Sequence, residues 1–388
     1  MKKIILILFI FTLTGCYNYT ELNQLAIATG FAVDIKDDEY EVTVLISNSQ
    51  KEASSDKGSA SAAVYRGNGK TIFEAIKDAS LAISKQIYVS HIEVLVLSEE
   101  VAKNKTLEVV DFFFRYPQTR NEFYVVIAED CNAGDVFDIS TPLETFPSQN
   151  ISKNLEITNK LQGFTYTMTF NEFVTDLIEE GKNPSLPTIS IVGSVEDGNK
   201  EDNIKQIEPS TYLKLGMMGV FNGSNLVGIS SEDQSKGINF LNDMVKTTLI
   251  VTEYNGGYVV VELSQSNTEK KVEINNGKPK FIISINTTGS IEEVATDLKV
   301  DQPEVIEIIK KSSEDEIKRI INEAINYSKE LKTDIFNLGS LIYKKDHKLW
   351  KEIKDNWEDE ILNDVEIEVK VDLDLKTKGS IDNVIEVR

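Results

Sequence analysis

The hydrophobic positions change period several times along this chain, and each change marks an element. Val42, Val44 and Ile46 alternate with Glu41, Thr43 and Leu45, the period of a half-buried strand. With Gly30–Ile35 they predict a pair of strands, Gly30–Ile35 and Tyr40–Ser47, about the turn Lys36-Asp37-Asp38-Glu39. Ser47–Ala63 is rich in Ser, Ala, Lys and Gly and reads as a loop. Ile72, Ile76, Ala79, Ile83 and Ile87 recur at steps of four, three, four and four, so one helical face is expected over Lys70–Ile87. A buried strand at Ile92–Leu97, a helix over Glu99–Arg115, a strand at Glu122–Ala128 and a helix start at Asn132–Asp138 follow. The order β-β-α-β-α-β describes an α/β unit ending near residue 135.

Residues 139–205 carry half of the eight prolines and are less regular, with a helix expected at Phe170–Glu180 and a strand at Thr188–Val192. The polar stretch Val195–Ile207 marks the main boundary. Beyond it, strands at Tyr212–Phe221 and Leu226–Ile229 flank Asn222-Gly223, a hairpin turn signal. A short helix at Lys236–Val245 and strands at Thr247–Thr252, Gly257–Gln265, Lys270–Ile274 and Lys280–Thr287 come next. Val305, Ile306, Ile309, Ile317, Ile320, Ala324 and Ile325 lie on one side of a long helix at 302–331, and a shorter helix covers Lys344–Trp357. At the end, Val365, Ile367, Val369, Val371, Leu373 and Leu375 alternate with Glu366, Glu368, Lys370, Asp372 and Asp374. That alternation predicts an antiparallel strand with one wet face. The expected fold is multi-domain and mixed α/β (α+β), with largely antiparallel twisted sheets and helices packed on one side. Its divisions are a signal peptide at 1–15, an N-terminal α/β domain at 16–135, a middle region at 136–205 and a C-terminal α/β domain at 206–388.

The N-terminus has its own pattern. Lys2 and Lys3 precede an apolar stretch, Ile4–Leu13, about half of the roughly 20 residues a spanning helix needs. The chain continues Leu13-Thr14-Gly15-Cys16. A positive start, an apolar core and small residues before a cut site make an export signal, and this run resembles the lipobox of bacterial lipoproteins. Cys16 is then expected to carry a diacylglycerol and to become the first residue after cleavage, with Leu13, Thr14 and Gly15 as the recognition sequence. Each buried CH₂ contributes about 0.8 kcal/mol, so two acyl chains hold a protein at the bilayer where one holds it only marginally.

Charge narrows the partners. The formal net charge is −22, with 63 acidic and 41 basic residues. Nucleic-acid affinity rests on Lys and Arg neutralising phosphates, so nucleic acid is excluded, and the acidity opposes a body lying flat on anionic lipid. Self-repulsion also favours a monomeric body. Hydrophobic residues make up 41%, enough for packed cores. With Cys16 lipidated, Cys131 has no partner, so no disulfide framework forms. Cys131 follows the apolar run Phe123–Ala128 and the acidic neighbours Glu129 and Asp130, the setting of a structural thiol at a strand end rather than a reactive one.

Candidate chemistry is sparse. Gly69-Lys70-Thr71 resembles the tail of a phosphate-binding loop, but Val64 stands where the first Gly is required; the run reads as a helix lead-in. His91 and His347 are the two histidines and lack the spacing of a metal site. Phe112, Phe113 and Phe114 read as core, and no nucleophile, base and oxyanion constellation assembles. No enzyme and no cofactor other than the covalent lipid is expected.

Several short runs, taken in order, resemble one family. Cys16-Tyr17-Asn18-Tyr19-Thr20-Glu21-Leu22 is followed by Gly30 and Asp34. Arg115-Tyr116-Pro117-Gln118-Thr119-Arg120 leads to a strand through Tyr124 and Ile127. Val220-Phe221-Asn222-Gly223-Ser224-Asn225-Leu226-Val227-Gly228 forms a hairpin with Gly237 after it. Asp334-Ile335-Phe336-Asn337-Leu338-Gly339 ends the long helix, Trp350 and Trp357 lie seven residues apart, and Gly379 follows the last strand. Behind a lipobox, this order resembles the Ger(x)C family, the lipoprotein C subunit of GerA-type nutrient germinant receptors of endospore-forming bacteria. Tyr17 and Asn18 depart from the Trp and Asp usual there. The resemblance implies a lipid-anchored subunit on the outer face of the cytoplasmic (spore inner) membrane. It implies assembly with integral membrane A and B receptor subunits, and germination triggered by small nutrients. The alternative is the substrate-binding lipoprotein of a transporter, which the antiparallel hairpins of the C-terminal half disfavour. Trp350 and Trp357 are expected on one packed helix face, and Arg115 and Arg120 as surface or strand-end charges.

Overall fold

The computed structural model describes residues 21–48, 61–116, 118–295, 298 and 302–376. β1 (Leu25–Lys36) and β2 (Glu39–Ser47) form the expected antiparallel pair. Their turn places Asp37 and Asp38 at φ 51° and 64°, a conformation short polar side chains tolerate. β3 (Ala62–Gly69) adds an antiparallel strand to β2 where a loop and a helix lead-in were expected. Its small residues give no apolar alternation, yet they are required: a Cβ on Gly67 would lie 2.2 Å from the backbone nitrogen of Ala79. The helix above it, α1 (Ile72–Ser80), is capped by Thr71, whose hydroxyl accepts from Glu74 N at 3.2 Å. It stops seven residues short of the predicted end. Ile83 and Ile87, although in phase with the helix, lie in the link and in β4 (Gln86–Tyr88), which pairs with the start of β1.

β5 (Val94–Ser98) is followed by two helices, α2 (Glu99–Asn104) and α3 (Thr106–Arg115), where one was expected. The break is at Lys105, at φ −133°. β6 (Tyr124–Ala128) and a 3₁₀ turn at Gly134–Asp138 come next. α4 (Pro147–Leu161) was not anticipated, although Pro147 in its first turn is a start signal. α5 (Phe170–Ile178) begins with a capping box between Thr169 and Glu172. Then come β7 (Ser185–Val192), two single-turn helices, β8 (Tyr212–Asn222), β9 (Asn225–Ile229) and α6 (Glu232–Leu241).

These strands build one nine-stranded sheet in the order β3-β2-β1-β5-β6-β7-β8-β9, with β4 on β1. Its centre, β1-β5-β6-β7, is parallel and its flanks are antiparallel. The sheet runs across both positions, 135 and 205, at which the sequence pattern changes. Both faces are covered, not one. Leu95, Leu97, Val125 and Ile127 pack toward Phe113, Phe170 and Phe173. Val94, Val96, Val126 and Ala128 pack toward Phe137, Ile151 and Leu155.

The second sheet has four strands: β10 (Thr248–Tyr254), β11 (Gly257–Asn275), β12 (Lys278–Ala295) and β13 (Glu366–Lys376). β11 is one 19-residue strand where two were expected. The polar stretch between them still ladders onto β12, as at Ser266–Thr287 and Asn267–Asn286, because backbone pairing needs no apolar side chain. α7 (Pro303–Glu330) covers the apolar face. α8 (Leu338–Lys345) and α9 (His347–Ile353) follow it. β13 pairs with β12 in parallel, not antiparallel. The chain returns from β12 through α7, a crossover that brings the next strand back in the same direction. The mixed fold of two sheets with helices is therefore as the sequence implies, and the strand direction at its end is not.

Candidate functional site

The helix α7 ends at a loop that carries the run Asp334–Gly339. Lys332 and Asn337 in this loop adopt φ 51° and 61°, and between them Asp334 is fully buried. One carboxylate oxygen accepts from Phe336 N (3.2 Å) and Leu338 N (3.1 Å). The other accepts from Gly339 N (2.6 Å) and Trp357 Nε1 (3.0 Å). Asn337, the residue preceding α8, makes no side-chain cap. Asp334 supplies the negative charge and the acceptors that a helix N-terminus favours.

The same loop is stitched to the first sheet. Asn183 N donates to Asp334 O at 2.9 Å, and Asn183 Oδ1 accepts from Gly223 N at 2.7 Å. Glu358 accepts from Asp334 N (3.0 Å) and from Asn183 Nδ2. Thr333 Oγ1 donates to Phe221 O (2.7 Å), and Asn222 Nδ2 donates to Lys332 O (2.8 Å). The hairpin Phe221-Asn222-Gly223 and the run Asp334–Gly339, more than a hundred residues apart, therefore meet in one node, buried at Asp334 and open at Gly223.

Both tryptophans close this node. Trp350 and Trp357 are 3% and 1% exposed, with ring centroids 5.9 Å apart at 66°. They do not share one helix. Trp350 lies in α9, a 3₁₀ turn covers Lys354–Asn356, and Trp357 opens a π-helical turn, Trp357–Ile361. The indole N–H groups serve different partners: Trp350 Nε1 donates to Glu180 Oε2 at 2.9 Å, Trp357 Nε1 to Asp334. Gly339 is pressed between Trp350 and Gly181; a Cβ there would lie 2.6 Å from the indole and 2.9 Å from Gly181 Cα.

Burial pushes the Asp334 and Glu358 carboxyls above their ordinary values, and their N–H donors pull in the opposite direction. Lys270, on β11, turns its ammonium inward to donate to Phe336 O at 2.7 Å. Burial pushes this ammonium down to about 8, opposed by nearby Asp334. With each carboxylate oxygen of Asp334 committed to two donors, the node is built to hold segments together.

The residues singled out in the sequence fall into three groups. Leu13, Thr14, Gly15 and Cys16 lie outside the described residues, as do Tyr17, Asn18, Pro117 and Gly379. Phe221–Gly223, Asp334–Gly339, Trp350 and Trp357 come together. The rest stay apart. Cys131 is half-buried after β6, and burial pushes its thiol up to about 12. Asp34 accepts from Ala133 N (2.8 Å) and Gly134 N (2.9 Å). His91 and His347 are both exposed, beside Tyr88 and Tyr343, and no group of metal-ligating residues forms among the described residues. Of the three phenylalanines expected in the core, Phe113 is buried and Phe114 is 60% exposed. Phe112 stacks on Tyr116 at 5.3 Å in a cleft of about 430 Å³ with Phe73 and Tyr40. Arg115 pairs with Asp111 in solvent, and Arg120 is exposed. Asn183, Glu358 and Lys270 were missed. Asn183 and Glu358 belong to polar stretches with no local pattern and Lys270 opens an expected strand; only the fold brings them to Asp334.

Two family models match the chain: "Spore germination protein N-terminal domain" over residues 18–191, and "Spore germination B3/GerAC like, C-terminal" over residues 217–379. Among curated proteins of Bacillus subtilis (strain 168), the chain is 25% identical to spore germination protein KC, covering 99% of this chain and 97% of that one. It is 24% identical to spore germination protein B3, with 98% of each covered. A crystal structure of the GerBC protein shares the fold at TM-score 0.53 and 20% identity, over 92% of this chain and 99% of that one. The two models span both sheets and the node between them, and on that ground the chain belongs to the GerAC family of spore germination proteins.

Proposed function

We propose that this protein is the lipid-anchored C subunit of a nutrient germinant receptor. It acts by assembly with integral membrane A and B subunits at the outer face of the spore inner membrane. Cys16 carries the diacylglycerol that attaches it, and the body behind it is monomeric and needs no other cofactor. The observation that carries this reading is the match of both halves of the chain to the germination family, behind the run Leu13-Thr14-Gly15-Cys16 that we read as a lipobox. Two further facts support it. Among the described residues no helix is long and apolar enough to cross a membrane. The node ties the two sheets through hydrogen bonds, which suits a subunit that relays a fixed geometry between partners. Anchoring in the bilayer plane also raises the effective concentration for a membrane partner.

The test is genetic and uses spores whose other nutrient receptors are removed. Deleting the gene, or replacing Cys16 with Ala, should abolish the response to the germinants of this receptor and spare germination by agents that bypass nutrient receptors. Normal nutrient responses with failed uptake of a small solute would establish a transporter protein instead.

A further inference from the structure

The first sheet has two unlike ends. At one end β1, β3 and β4 begin and β2 stops: Leu25 pairs with Gln86, and Ser47 with Ala62. A cleft of about 390 Å³ opens there among Leu25, Ile46, Ala63, Tyr65, Ile83 and Lys85, and among the described residues no acidic one lines it. Two residues before Ile83, Leu81 is 85% exposed. At the opposite end the turn between β1 and β2 reads Lys36-Asp37-Asp38-Glu39, with exposed Asp37 and Asp38. The 12 residues of β1 separate the two ends by ~36 Å at about 3.3 Å per residue.

We propose that the end carrying Leu25, Leu81 and Lys85 is a membrane-contact surface that seats in the headgroup layer of the bilayer. This rests on the reading of Cys16 as the lipidated residue. Only five peptide steps separate Cys16 from Glu21, where the described chain begins, a span of about 18 Å at full extension. The anchored chain enters β1 at Leu25, so the near end of the sheet is held close to the lipid. The far end would reach the surface only if β1 lay flat. Anionic lipid opposes that, because it would bring the acidic turn down onto negative headgroups. The near end offers what an interface takes: an exposed leucine, a tyrosine and a lysine. The orientation also directs the node toward the membrane. β7 is parallel to β1 through β5 and β6, so Asn183, just before β7, leaves the sheet from the anchored end.

The experiment uses the full lipidated protein in vesicles of phosphatidylcholine and phosphatidylglycerol. In a Cys131→Ser background, a fluorophore is attached at Leu81→Cys or, separately, at Lys36→Cys. Both positions are exposed, so folding is not at stake, and circular dichroism checks it. With lipids spin-labelled at the headgroup, the Leu81 site should be quenched severalfold more than the Lys36 site. Equal or reversed quenching of protein that floats with the vesicles overturns the orientation and leaves the anchor standing. Quenching at Leu81 that requires added membrane subunits also overturns it, in favour of a protein contact. Protein that does not float, with an unmodified Cys16 by mass spectrometry, overturns the anchor and this proposal with it.

Discussion

Every residue of β5, from Val94 to Ser98, is buried, whereas β13 alternates outward Glu366, Lys370, Asp372 and Asp374 with a buried or half-buried apolar row. Both strands have parallel neighbours. The difference lies in what covers them. β5 sits mid-sheet with side chains packed on both faces; β13 is an edge strand with α7 on one face and water on the other. Period two therefore reports how many faces are covered, and the connection reports direction. Inferring an antiparallel partner for β13 from its alternation ran these two together.

The node is where the two sheets depend on each other, so breaking it should give the largest effect. Asp334→Ala strands four N–H donors, three of them backbone, in a site with no water access. Leaving a buried group unsatisfied costs about 1–3 kcal/mol, and several at once should cost on the order of 3–5 kcal/mol. Urea unfolding followed by tryptophan fluorescence should show a lowered midpoint, with the tryptophan signal lost before the far-ultraviolet circular dichroism of the first sheet. A single transition at the original midpoint would mean that the sheets are held together elsewhere.

A smaller effect concerns Lys270, which links the four-stranded sheet to the node. Its stem is half-exposed but its ammonium is turned inward, and burial brings it to about 8 from 10.5. Below pH 8 both the folded and unfolded chains hold this proton, and the cost of burying the charge is fully present. Between pH 8 and 10.5 the unfolded chain keeps the proton while the folded chain releases it. Stability contributed by this site therefore rises with pH across that window. Denaturation of the wild type and of Lys270→Met at several pH values should show the rise in the first and a flatter profile in the second. Parallel profiles would mean that the ammonium stays charged in the fold.

How much of this was legible beforehand follows from which residues carry local patterns. The helix at 302–331, the hairpin at Asn222-Gly223 and the strand pair about Asp37 were read from periodicity and turn chemistry, because their own side chains specify them. The node was half legible: Asp334–Gly339, Phe221–Gly223 and the two tryptophans stood out as motifs, yet nothing local says that they touch. Asn183 and Glu358 were invisible, since a lone Asn before Pro and one Glu among many acids carry no signal until the fold buries them. β3 was lost for the opposite reason. Its Ala and Gly residues are there to admit α1, and a strand chosen for closeness has no hydrophobic stripe.

The smallest expected effect tests the wet face of the second sheet. Asp374 is 71% exposed and stands 3.7 Å from Lys376, while its neighbour Leu373 is fully buried against the apolar side. An exposed pair of this kind contributes at most about 1 kcal/mol and often nothing measurable. Asp374→Asn should therefore shift stability by less than about 0.5 kcal/mol, and the shift should vanish at high salt, because exposed charges are screened there. Leu373→Ala, one residue away on the same strand, should cost about 2–4 kcal/mol through the lost burial and the cavity left behind. The contrast between adjacent residues isolates the covering of each face from everything else about the strand. If Asp374→Asn proves as costly as the leucine change in the isolated protein, that face is not open to water. A second copy of the chain would then have to cover it, which sedimentation at physiological salt would reveal.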